Sequence, residues 1–110
     1  MGLNQKANDP QAKVRRKQGG LIVKTLRTSA GYTQRELAQK VGLEYYTFIS
    51  QIESGTGRVP PQHYAVWAEA LGVDVKKFVR ELLKFYDPLT FEVIYDAKCT
   101  EPTDYENLRL

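Results

Sequence analysis

The sequence predicts an all-α domain of five helices, with a basic N-terminal arm before it and a C-terminal extension with a strand pattern after it. Three observations carry this. Between residues 20 and 86 the apolar residues recur at helical spacing, in runs separated by glycine, proline and aspartate. Within that stretch, residues 33–53 read as two short helices joined by a tight turn. An alternating pattern replaces the helical one at residues 91–95. The chain therefore divides into an arm (1–19), a helical domain (20–87) and an extension (88–110).

Residues 1–8 carry no periodic pattern. Asp9-Pro10 is a cap followed by proline at the first helical position, which starts a helix over residues 10–18. That helix holds Lys13, Arg15, Arg16 and Lys17 but only Ala12 and Val14 as apolar residues, so it is marginal alone. Gly19-Gly20 then breaks the chain or hinges it into the first domain helix, residues 20–30. Ile22, Val23, Leu26 and Ala30 form its stripe, and Gly31 closes it.

Thr33 caps the second helix, and Glu36 three residues on completes a capping box. Leu37, Ala38 and Val41 form its apolar stripe, and Gly42 ends it. The third helix spans about residues 44–54, with Phe48, Ile49 and Ile52 inward and Tyr46, Thr47, Ser50 and Gln51 outward. A short helix with hydrogen-bonding side chains at its front suits a DNA major groove. In the loop 54–61, Gly55 and Gly57 permit left-handed backbone, and Arg58 sits at the tip, placed to clamp a phosphate.

The fourth helix covers residues 61–71, with Tyr64, Trp67, Ala68 and Leu71 on one face; the Trp67 indole N–H calls for a partner. Asp74 caps the fifth helix, residues 75–86. It carries two apolar stripes, one of Val75, Phe78, Leu82 and Phe85, the other of Val79, Leu83 and Tyr86. Together they are wider than a surface helix needs. Asp87-Pro88 ends it. Beyond, Phe91, Val93 and Tyr95 alternate as in a strand, and Tyr105 and Leu108 are anchors in an acidic tail.

The net charge of +3 is unevenly spread. Residues 1–40 carry nine basic against two acidic residues, whereas residues 88–110 carry two against five. A basic front attracts phosphates. No apolar run is long enough for a membrane span, and nothing resembles a signal peptide. The lone Cys99 cannot form an internal disulfide, which fits a cytoplasmic protein, and is read as a bystander. The lone His63 lacks companions at metal-ligand spacing. No nucleophile motif, P-loop or metal cluster is present, so a binding protein is expected, with no cofactor and no metal.

Several of these residues together resemble the lambda-repressor-like, Xre/Cro-type helix-turn-helix family, over about residues 20–78. The marks are Arg27, Thr33-Gln34, Leu37-Ala38, Gly42, Ile49, Ile52-Glu53 and Gly55. One departure stands out. The chain has one residue more between Gly42 and Ile49 than the family's usual pattern, so either the turn is longer or the third helix starts one residue early. The resemblance implies an Arg27–Glu53 structural ion pair and a phosphate contact from Gln34.

The expected function is a sequence-specific transcriptional regulator, a repressor binding double-stranded DNA at an inverted-repeat operator. Tyr46, Thr47, Ser50 and Gln51 would read base edges. Gln34, Arg35 and Arg58 would hold the DNA backbone. So would Lys13, Arg15, Arg16 and Lys17, unless the arm is only a solvated tail. A homodimer is expected through Val79, Leu83, Tyr86, Phe91, Val93 and Tyr95, with the tail pairing across a two-fold axis; the alternative is a tail folded back on its own fifth helix. The competing function is an antitoxin or antiactivator. It would bind a protein partner, a toxin or another regulator, through helix 75–86 and the tail.

Overall fold

The computed structural model describes residues 10–110; residues 1–9, including the expected cap Asp9, lie outside the described residues. Seven α-helices are present among them: α1 (Pro10–Ser29), α2 (Gln34–Lys40), α3 (Thr47–Ser54), α4 (Tyr64–Leu71), α5 (Val75–Tyr86), α6 (Pro88–Tyr95) and α7 (Tyr105–Leu108). A 3₁₀ turn, Pro61–His63, leads into α4 and replaces the first turn expected there. No strand occurs among the described residues; Val73 and Arg109 form an isolated bridge. The fold is all-α, as the periodicity predicts.

The expected interruption at Gly19-Gly20 is absent. α1 is one continuous helix of 20 residues. The glycines are there because another helix lies against them. A Cβ on Gly20 would sit 2.3 Å from the Ile52 carbonyl oxygen and 2.5 Å from that of Glu53. A Cβ on Gly19 would sit 2.7 Å from the Tyr86 ring. The pair is a notch in which α1 crosses the end of α3 and meets the end of α5, at a cost of about 1 kcal/mol per glycine in helix propensity. The notch carries the arm's two turns onto the body, which answers their lack of an apolar face.

The capping box at the start of α2 is complete. Glu36 N–H donates to Thr33 Oγ1 (3.1 Å), and Thr33 N–H donates to Glu36 Oε1 (2.9 Å). That second bond, first among the causes, holds the Glu36 carboxyl below its usual pKa. Gly42 follows with φ +77°. α3 begins at Thr47, three residues later than expected, so the extra residue lengthens the turn. Ile49 and Ile52 face the core, but Phe48, expected inward, is 46% exposed. It lines a cavity of about 250 Å³ together with Leu43, Gln51, Pro60 and Trp67.

The core joins Val23 of α1, Leu37 of α2, Ile49 of α3, Trp67 of α4 and Phe78 and Leu82 of α5. Trp67 is fully buried, and its indole N–H meets no acceptor among the described residues.

The extension departs most from expectation. Residues 88–95 form a helix, not a strand. Asp87 caps it, accepting from Thr90 N–H (3.3 Å) and Thr90 Oγ1 (2.6 Å), and Pro88 takes the first helical position. Phe91 and Tyr95 then fall four residues apart on one helical face, ring centroids 5.2 Å apart. With no strand there is no edge to pair across a two-fold axis.

The tail beyond α6 folds back on its own chain. Leu108 is buried in the core, and its carbonyl accepts from Asp74 N–H (2.9 Å). Lys84 is 2% exposed; its Nζ donates to the Glu101 carbonyl (2.8 Å) and lies 2.8 Å from Glu81 Oε1. Arg80 pairs with Glu81 (2.9 Å), so the buried carboxylate is held by two cations. Cys99 donates its backbone N–H to Glu92 (3.3 Å); slight burial pushes its thiol pKa up, which leaves it less reactive.

Candidate nucleic-acid interface

α3 is fixed at its rear and open at its front. The rear anchor is Glu53, in the last turn. Arg27 of α1 approaches it with two nitrogens, Nε at 2.6 Å from Oε2 and Nη2 at 3.1 Å from Oε1. The remaining Nη1 donates to the Tyr32 carbonyl (2.7 Å). Gln34 Nε2 also donates to Glu53 Oε1 (3.1 Å). One carboxylate thus ties α3 to α1 and to the start of α2. Both charged side chains are nearly buried, which two opposite charges tolerate only as a pair.

The front of α3 is solvent-facing. Tyr46 occupies the cap position, and Thr47, Ser50 and Gln51 are exposed beyond it. The Arg35 guanidinium lies over the Tyr46 ring, 4.3 Å from its centroid. Arg35 and Tyr46 therefore form one unit linking α2 to α3. Tyr45 and Phe48, absent from the expected set, share this front with ring centroids 6.4 Å apart. Finding them would have required the true start of α3.

Gly55 closes α3 in the left-handed region, φ +87°. A Cβ there would meet the Lys17 backbone nitrogen at 2.6 Å. Arg16 Nε donates to the Gly55 carbonyl (3.0 Å), placing a cation at the negative end of α3. Among the described residues, the four cations Lys13, Arg15, Arg16 and Lys17 do not form one patch. Arg16 faces the end of α3, while Arg15 lines a cavity with Cys99 and Glu101 on the tail side. Lys13 and Lys17 are exposed. This division follows from helical geometry, since residues 13, 16, 17 and 20 share a face that residue 15 leaves.

Arg58 is exposed at the loop tip, its guanidinium 4.6 Å from the Tyr86 ring centroid. Tyr86, expected on a partner surface, is half-buried and turned toward Gly19 and the Arg58 loop. Burial, the main cause, pushes its phenol pKa up to about 12. Phe91 is also withdrawn from the expected partner surface, being fully buried beneath Arg80. Val79, Leu83 and Tyr95 are half-buried, and Val93 is open. The exposed apolar residues of α6 are Leu89, Val93 and Ile94, at 76%, 83% and 60%.

No described helix is long and apolar enough to cross a membrane. The helix-turn-helix family model matches residues 23–78, just over half of the chain, from the middle of α1 into α5. No curated protein matches the sequence.

Proposed function

The chain belongs to the lambda-repressor-like (Xre/Cro-type) helix-turn-helix family of DNA-binding regulators, and from that premise we propose that it is a cytoplasmic transcriptional repressor that reads an inverted-repeat operator through α3. One observation carries the reading. Four hydrogen-bonding residues, Tyr46, Thr47, Ser50 and Gln51, stand together on the exposed front of a helix whose rear is locked by a buried ion pair. Such a helix can meet base edges without rearranging. Gln51 can pair with adenine through two hydrogen bonds, and Thr47 offers its methyl group to thymine. Gln34, Arg35 and Arg58 surround the front and supply backbone contacts. Lys13 and Lys17 add exposed charge on the arm, and Arg16 steadies the end of α3.

Thr47→Ala and Gln51→Ala test this. Each should weaken specific binding by about 1–3 kcal/mol and relax base preference at one or two positions. Neither should change the urea midpoint, because both side chains are exposed. Full affinity and unchanged preference in either variant, measured by fluorescence anisotropy on the duplex the native protein selects, would show that another face meets the bases.

The exposed stripe of Leu89, Val93 and Ile94 supports a homodimer through α6 in place of strand pairing. One such domain buries only about 600–1,000 Å² on DNA, and two half-sites remedy that. The same stripe also suits a protein partner, as an antitoxin or antiactivator would need. Val93→Asp should leave the fold intact and convert the dimer to a monomer in sedimentation at micromolar concentration. A native protein that sediments as a monomer, with or without inverted-repeat DNA, contradicts the dimer.

A further inference from the structure

We infer that Tyr86, at the far end of α5, is a positioning residue for DNA-backbone contact, holding Arg58 ready for a phosphate; this rests on the DNA-binding reading above. The loop after α3 has few fixed points. Gly57 N–H donates to the Gln51 carbonyl (3.0 Å), which returns the loop to α3. Val59, the residue after Arg58, donates its N–H to the Tyr86 hydroxyl (3.3 Å), a bond across 27 residues of sequence. Tyr86 also carries the Arg58 guanidinium on its ring. One side chain therefore fixes both the backbone beside Arg58 and the charged head of Arg58.

The geometry suits phosphate binding. A guanidinium stacked on an aromatic ring uses its flat face and leaves its N–H edge free for a bidentate acceptor. No hydrogen bond occupies the Arg58 nitrogens among the described residues. An arginine restrained in advance loses less side-chain entropy when a phosphate arrives. Tyr86 is itself held. Its ring lies where a Cβ on Gly19 would be, so α1 backs it. Burial pushes its phenol pKa up to about 12, so the O–H persists into alkaline solution where an ordinary tyrosine loses it. A tyrosinate there would lose its O–H and alter the charge beside Arg58.

The experiment measures affinity of the full chain for its selected duplex across salt concentration, with circular dichroism melts of every variant. Arg58→Ala should lose about tenfold in affinity and reduce the slope of log affinity against log salt by roughly 0.9, one phosphate contact. Tyr86→Leu should lower affinity and slope by a similar amount, and the double variant should bind like Arg58→Ala alone. Tyr86→Phe, which keeps the ring, should retain the native slope. If Tyr86→Leu melts below the assay temperature, Tyr86→Met takes its place, filling the space without an aromatic face. A Tyr86→Leu protein, or the Tyr86→Met protein standing in for it, that keeps the native slope, or whose loss adds fully to that of Arg58→Ala, overturns the positioning role. An unchanged slope in Arg58→Ala overturns it too, while leaving DNA binding through α3 standing. Failure of the native protein to bind any duplex removes the DNA-binding reading itself.

Discussion

Arg27→Ala will destabilise the protein by roughly 3–5 kcal/mol, and Glu53→Ala will do the same. Both side chains are nearly buried, and together they close a bidentate pair. Removing the arginine leaves a carboxylate at the end of α3 with, among the described residues, only the Gln34 amide to satisfy it. Removing the glutamate leaves a guanidinium bonded, among the described residues, only to the Tyr32 carbonyl. Either loss strands a charge away from water, which costs more than the pair itself contributes. The double variant should therefore cost less than the two single losses added. Urea melts of the three variants settle it; strictly additive losses mean the two residues do not share one interaction. DNA affinity should fall alongside stability, because the pair sets the position of α3.

Gly20→Ala is the second large effect, and here two physical terms disagree in sign. Helix propensity favours alanine over glycine by about 1 kcal/mol. Sterics oppose it, since the new Cβ would lie 2.3 Å from a carbonyl oxygen of α3, far inside van der Waals contact. That oxygen belongs to backbone inside a helix, so it cannot swing aside. Overpacking of this kind costs about 1–3 kcal/mol, occasionally more, and the structure predicts that it wins. The variant should melt earlier than the native protein and bind DNA more weakly, because relief requires α3 to move. Gly19→Ala should be milder, as its neighbour is the end of a tyrosine ring. A Gly20→Ala protein more stable than native would show that α1 does not cross α3 this closely.

Local signals in the sequence reported the local structure well. The Thr33–Glu36 capping box, the Asp74 cap and the glycines closing helices all depend on residues within a few positions. What escaped depends on distant ones. The partner of Gly20 lies at Ile52 and Glu53, so a glycine pair serving a crossing looks like a break when only its neighbours are considered. The start of α3 was hidden for another reason: a turn one residue longer leaves the apolar positions in place but shifts the first helical residue. That shift exposes Phe48 and puts Tyr45 on the front. The start of α6 is written in the sequence. Asp87-Pro88 ends α5 and is also the same helix-start signal as Asp9-Pro10, a cap followed by proline at the first helical position. Alternation of Phe91, Val93 and Tyr95 favoured a strand, while the four-residue spacing of Phe91 and Tyr95 fits a helix equally. The inward turn of Tyr86 was not legible at all, since it needs the Arg58 loop, 27 residues away from it at Val59.

The central claim is that α3 reads DNA sequence. Sequencing the duplexes that the native protein and Gln51→Ala each retain from a random pool tests it most directly. The account predicts that the native protein enriches one inverted repeat, and that Gln51→Ala loses preference at one or two positions in each half while keeping the rest. A native protein that enriches no motif, or a Gln51→Ala protein that enriches the same motif with undiminished preference, contradicts it.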